Sequence, residues 1–462
     1  PFYVNDRNAG RIAFEEAAAL IADFADNVRD NAGWSAAIGG TTAHGSPAYN
    51  DVTRMLLRAA RGRFRPSLEL RVRPDMPDEV WEEALLAAGS GAGNPAFYNE
   101  DAYLRALQDL DLGLTPEDAA WWNGGGCTET MIHGCSNVGS IEAGINLALV
   151  LDTTLHRELD TAPTFEAFFD RLKAAISTTV AEVLDLVNRR LKVKARLRPQ
   201  PMRSLLIDDC IDNGVEFNAQ GARYNWSVVN LAGLTNVADS LAALRETVFG
   251  RDPVPAAELL EALTADFEGH AALRNRLAHC PRFGNDDEAA DAVAAELAGF
   301  VFSEVLKHER WGSGRFLPSC IMFVTYGAAG QAVGATPDGR RAGEPLADSI
   351  GPVQGRDTHG PTALLKSVAG LPLERAAGTP VLNMRFAKNL FATAEGRRRV
   401  RDLLESFFRL GGMQVQLSVV DREELVDAQQ HPERHRDLIV RIGGYSAYFT
   451  SLAKELQDTV IA

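Results

Sequence analysis

The chain has 462 residues, of which 46% are hydrophobic and 24% charged; these are globular values and exclude disorder or a collagen-like repeat. Its 47 Lys and Arg against 62 Asp and Glu leave a net charge of −15, the wrong sign for gripping a nucleic-acid phosphate backbone. No apolar run approaches the ~18–20 residues of a membrane span, the longest lying near Ile145–Leu151.

Residues 1–120 read as mostly helical, with apolar stripes at helical spacing over Phe14–Asn27, Asp51–Arg63 and Pro77–Leu86. Thr115-Pro116-Glu117-Asp118 is a helix start: Thr as N-cap, Pro at the first position, acids where the macrodipole favours them. Trp121–Cys127 carries three successive glycines and reads as a loop. Helices are expected over Ile141–Leu155, Thr164–Leu191 and Val228–Val248, with a polar loop over Asp208–Asn225. Pro337-Asp338-Gly339 has turn chemistry, and Gly351–Pro361 reads as extended. Glu395–Leu410 reads as a helix capped at Gly411-Gly412, and Met413–Val419 alternates like a half-buried strand. A helix from Arg422 to Gln430 precedes Arg441–Ala447, and the chain ends in a further helical stretch.

Five cysteines (Cys127, Cys135, Cys210, Cys280 and Cys320) are an odd, scattered set that suits a reducing cytosol and matches no zinc spacing; no metal ligand set is expected. Cys210, Cys280 and Cys320 read as buried, inert thiols. Cys127 sits in a glycine-rich loop with Glu129 two residues on, where alternation puts thiol and carboxylate on one side. From the residues alone three readings stay open: a Cys127–Glu129 pair, a Cys127–His133 nucleophile, or a small buried residue at a tight turn. Arg441-Ile442-Gly443-Gly444-Tyr445-Ser446-Ala447 is on its own only a turn.

Together these segments resemble the glycyl radical enzyme family, the pyruvate formate-lyase-like group. Val440–Tyr448 is similar to its radical motif Arg-Val-x-Gly-Tyr-Ser-Ala, with Ile442 as a conservative departure, and Leu452–Asp458 continues it. Pro337–Arg340, Ala342–Asp348 and Lys366-Ser367-Val368 resemble the start of its radical domain. Gly221–Asn225, Ala238–Leu241 and Arg282–Asp287 resemble its lyase domain.

The resemblance implies an α/β fold: part of the family's ten-stranded α/β barrel, surrounded by helices, with the Cys and Gly loops meeting inside. It divides the chain into a pyruvate formate-lyase-like portion over 1–326 and a glycine radical domain over 334–462. Members of the family usually carry several hundred residues ahead of the segment resembling Pro1-Phe2-Tyr3-Val4, which implies that this chain is a fragment, with a shortened homologue as the alternative. Gly444 is implied as the radical-bearing, modified residue, Cys127 as the thiyl relay and Glu129 as the adjacent proton acceptor or donor. Gly443 reads as a plain turn glycine. His133 and Asn137 are candidate substrate contacts, with loop hydrogen bonding as the plainer reading. Cys135 reads as structural, Arg223, Tyr224 and Asn225 as loop anchors, and Asp338, Arg340 and Arg341 as supports of the radical domain.

The family's formate acetyltransferases carry two adjacent cysteines, whereas Thr128 follows Cys127 here. Cys127-Thr128-Glu129 instead resembles the Cys-x-Glu of the dehydratases, C–N and C–S lyases and decarboxylases, with Thr128 and Thr130 departing from the common Cys-Val-Glu-Pro. The implied activity is cleavage of a C–O, C–N, C–S or C–C bond in a small polar substrate. The alternatives are formate acetyltransferase chemistry and a non-catalytic radical-domain homologue. No bound cofactor is implied, but a radical-SAM activating enzyme with a [4Fe-4S] cluster is. The implied setting is an anaerobic, cytoplasmic homodimer with no nucleic-acid or membrane partner.

Overall fold

A computed structural model describes residues 2–31 and 33–461; Pro1, Ala32 and Ala462 lie outside the described residues. Three strands, β1 (Ser35–Gly39), β2 (Ser67–Val72) and β3 (Ala96–Asn99), run parallel with helices between them. The helical expectation for residues 1–120 therefore misses half of the architecture. β2 and β3 are buried along their whole length. β3 is only four residues long, whereas β2 does alternate, Ser67, Glu69 and Arg71 being polar and Leu68, Leu70 and Val72 apolar, a strand signal that the helical expectation passes over.

The glycine run is not a loop. Trp122–Gly125 is strand β4, paired antiparallel with β5 (Glu129–Ile132), and only Gly126-Cys127-Thr128 forms the tip of this hairpin. The Thr115 cap is as read, its Oγ accepting the Asp118 amide at 3.1 Å, although the helix it starts spans only Pro116–Ala119.

Two further helical expectations become strands at their N-terminal ends. β6 (Ser136–Asn146) takes up the start of Ile141–Leu155, leaving a helix over Leu147–Glu158. β7 (Tyr224–Ala232) takes up the start of Val228–Val248, leaving a helix over Leu234–Thr247. β7 is buried at all nine positions although Asn225, Ser227 and Asn230 interrupt its apolar residues, and its mostly apolar second half runs on into the helix that follows. β6, β7 and β8 (Arg315–Ser319) form a parallel three-stranded sheet. The long helix Phe165–Leu197 packs over it with a buried stripe of Phe168, Leu172, Ile176, Val180 and Leu184, each four residues from the next.

β9 (Asn383–Phe386) and β10 (Gln414–Val419) complete the first sheet in the order β1-β2-β3-β10-β9, with β10 antiparallel to β3. β10 is buried on both faces rather than half-buried, because the polar side chains of Gln414, Gln416 and Ser418 point into the protein. Thr379 bridges Ser319 at the end of β8, and the Cys320 amide donates to its carbonyl at 3.2 Å. The three- and five-stranded sheets thereby form one curved α/β wall. Inside it lie the β4–β5 hairpin and a second one, β11 (Ile439–Ile442) with β12 (Tyr445–Tyr448). This second hairpin has a small apolar core of its own, built from Val420, Leu425, Ala428, Val440, Ile442, Phe449 and Val460.

Candidate active site

The two hairpin tips meet. Gly443-Gly444 is the two-residue turn between β11 and β12, and Gly444 has φ +89°, a conformation that disfavours any side chain. A Cβ placed on Gly444 would lie 2.7 Å from Cys127 Cβ, 3.2 Å from the Cys127 carbonyl carbon and 3.1 Å from Ile321 Cδ1. Gly443 is more than a turn residue, since a Cβ there would stand 3.0 Å from the Phe323 backbone nitrogen.

Arg441 holds the glycine tip in place. Its buried guanidinium donates from Nη2 to the Gly444 carbonyl (3.1 Å), from Nε to Gln416 Oε1 (2.7 Å) and from Nη1 to Ser67 Oγ (3.0 Å). All three partners are neutral, and burial pulls its pKa down from the ordinary arginine value. Gln416 Nε2 also donates to the Ile442 carbonyl at 3.2 Å, and Ser446 Oγ to the Ala92 carbonyl at 3.0 Å.

Glu129 clasps the cysteine tip. Its Oε2 accepts the amides of Cys127 (3.0 Å) and Thr128 (3.1 Å), so the carboxylate folds back over the loop that carries the thiol. Burial raises its pKa, opposed by those amides. The half-buried Cys127 thiol is pushed up to about 12, first by burial and then by the Glu129 charge. It stays S–H near neutrality, which suits hydrogen-atom transfer and not thiolate attack.

Thr379, which the motif reading passed over, steadies the same tip from the wall. Its Oγ1 donates to the Thr128 carbonyl (2.6 Å), lies 3.3 Å from Thr130 Oγ1 and accepts the Tyr103 hydroxyl at 3.2 Å. Trp226 Nε1 donates to the Thr130 carbonyl at 2.9 Å. Glu69 of β2 supports the hairpin from the other side, its Oε2 accepting the Gly124 amide at 2.8 Å. Glu69 and Gln416 occupy polar places in strands that alternate polar and apolar residues, and Thr379 lies in an irregular segment, so no sequence pattern singles any of them out.

The remaining candidates lie away from the tips. His133 is exposed at the far end of β5, its ring centroid 6.4 Å from that of Trp121, and it lines a cleft of about 780 Å³ together with Ser35, Glu69 and Asn123. Asn137 is buried and its Nδ2 donates to the Phe217 carbonyl at 3.0 Å. Cys135 sits beside Asp208 and Arg223, at the opposite end of the hairpin from Cys127. Arg223 pairs with Asp118 and Asp209, and the Tyr224 hydroxyl donates to Asp118 at 2.7 Å. Asn225 Nδ2 bonds the Ala222 carbonyl at 2.8 Å. Arg340 donates to the carbonyls of Gly334 (2.7 Å) and Gly330 (2.9 Å), Asp338 accepts from Thr336, and Arg341 lies 3.5 Å from Asp266. Among the described residues, no group of three or more His, Cys, Asp or Glu is placed to hold a metal ion. None of the described helices is long and apolar enough to cross a membrane.

Residues 1–330 match the pyruvate formate lyase-like family and residues 346–450 the glycine radical family. The chain belongs to the glycyl radical enzymes. It is 30% identical to the trans-4-hydroxy-L-proline dehydratase of Clostridioides difficile, over 92% of this chain and 55% of that protein. It is 29% identical to an isethionate sulfite-lyase of Oleidesulfovibrio alaskensis, over 100% of this chain and 60% of the relative. Among solved structures, the glycerol-bound B12-independent glycerol dehydratase of Clostridium butyricum superimposes with a TM-score of 0.89 at 33% identity, covering 92% of this chain and 56% of that one. The chain thus spans little more than half the length of the relatives it matches.

Proposed function

We propose that the whole protein uses a Gly444/Cys127 radical relay to cleave a C–O, C–N, C–S or C–C bond of a small polar substrate. The contact between the Gly444 tip and Cys127, with the Glu129 carboxylate folded over the thiol loop, carries this reading. The Gly444 Cα radical takes the hydrogen atom of the Cys127 S–H bond. The thiyl radical formed takes a hydrogen atom from a substrate carbon. Glu129 then accepts or returns a proton as the leaving group departs, and the product radical recovers its hydrogen from Cys127. Enclosure within the wall shields these radicals from water.

Thr128 in place of a second adjacent cysteine, and Cys135 at the far end of the hairpin, favour elimination over acyl transfer. Residues 1–326 act as the lyase portion and 334–462 as the radical domain. A radical-SAM activating enzyme with a [4Fe-4S] cluster installs the radical, and the protein works as a cytoplasmic homodimer. The test is anaerobic activation of the full-length protein followed by EPR. A glycyl doublet that disappears in Gly444→Ala supports the reading, and no doublet in the properly activated wild type overturns it.

A further inference from the structure

A second buried carboxyl stands beside the thiol hairpin. Glu69 is only 2% exposed, and while its Oε2 holds the Gly124 amide, its Oε1 is buried without a hydrogen-bond partner among the described residues. An ionisable oxygen left so is costly unless something fills the place. Glu69 lines the cleft of about 780 Å³ with Ser35, Arg71, Trp122, Asn123 and His133. The nearby guanidiniums are already committed. Arg71 gives Nε and Nη2 to Glu100 (2.8 and 2.5 Å) and Nη1 to the Ala120 carbonyl (2.9 Å), while Arg441 serves Gln416, Ser67 and Gly444. This wall of the cleft presents an acceptor and no free guanidinium.

We propose that Glu69 is a substrate-recognising carboxyl whose Oε1 accepts a hydroxyl or ammonium hydrogen, so that the substrate class is a neutral or cationic hydrogen-bond donor and not an anion. The inference rests on the radical-enzyme reading above and narrows its substrate. Burial pushes the Glu69 carboxyl up to about 7, against the pull of the Gly124 amide, the neighbouring Ser35 hydroxyl and Arg441, with Glu129 raising it further. An ammonium group would hold it ionised, and a hydroxyl can bond either form.

Glu69→Gln keeps an amide oxygen for Gly124 and replaces the open acceptor with an NH₂ group. Calorimetry on the full-length, unactivated protein reads binding of glycerol, propane-1,2-diol and 2-aminoethanol, with isethionate as the anionic control; EPR after activation reads the radical. At least one donor probe should bind wild type about ten- to hundredfold more tightly than E69Q. Isethionate should bind the variant at least as well, and the glycyl doublet should keep its intensity. Equal binding of every donor probe to the two proteins overturns the proposal. So does loss of the doublet in E69Q alone, which would make Glu69 a strut of the hairpin. A wild type without a doublet refutes the radical reading, and the binding comparison still judges Glu69.

Discussion

Gly444 and Cys127 stand so close that no side chain fits between them: a Cβ on the glycine would lie 2.7 Å from the cysteine Cβ. Gly444→Ala must therefore displace one hairpin tip and also hold an alanine at φ +89°, at a cost of about 1–3 kcal/mol. It should lower Tm and abolish the EPR doublet. Gly443→Ala meets the Phe323 backbone at 3.0 Å and should also lower Tm, but should keep the doublet. The pair of variants separates radical chemistry from packing at adjacent positions.

Glu129 has two separable jobs. Glu129→Ala leaves the buried amides of Cys127 and Thr128 without their acceptor, a loss of about 2–4 kcal/mol readable by thermal unfolding. Glu129→Gln can still offer an amide oxygen to both, so its Tm should stay near wild type. Because Gln cannot exchange a proton, turnover should nevertheless fall about 10²- to 10⁴-fold. A Gln variant with wild-type turnover would reduce Glu129 to a clasp.

The candidate site was legible in the sequence through two short motifs. A glycine pair within an arginine–tyrosine–serine motif, and a cysteine two residues before a glutamate, are each weak alone and were picked out by their joint resemblance to the family's motifs. What escaped was the wall. β2 alternates Ser67-Leu68-Glu69-Leu70-Arg71-Val72 yet is buried on both faces, β3 is too short to show a period, and the C-terminal ends of β6 and β7 run directly into helices at Asn146 and Gly233. Gln416 and Thr379 were invisible for a related reason. Each acts through a residue distant in sequence, Arg441 and Thr128, so no local spacing could announce the pair.

The raised Cys127 pKa, about 12, predicts slow alkylation. Iodoacetamide at pH 8 should label Cys127 far more slowly than a free thiol with a pKa near 8.5, with mass spectrometry resolving the site. Labelling should accelerate as the pH rises toward 12. Rapid reaction at pH 7 would mean a thiolate, and would favour a nucleophilic role over hydrogen-atom transfer.

Glu69 also predicts a pH-dependent stability. Its folded pKa, about 7, lies above the ordinary 4.5, so the folded protein binds the proton more tightly than the unfolded chain does. The stability linked to that proton is fully present below about pH 4.5 and is lost as pH rises through 7. Loss of the whole interval corresponds to about 3 kcal/mol. Glu69→Gln carries no titrating group, so at pH 8 it should melt above wild type, and at pH 5 the gap should shrink or vanish. Scanning Tm of both proteins from pH 5 to 8 reads this directly. Parallel curves would mean that the Glu69 carboxyl has the same pKa folded and unfolded, and that its burial is relieved by a partner in solution.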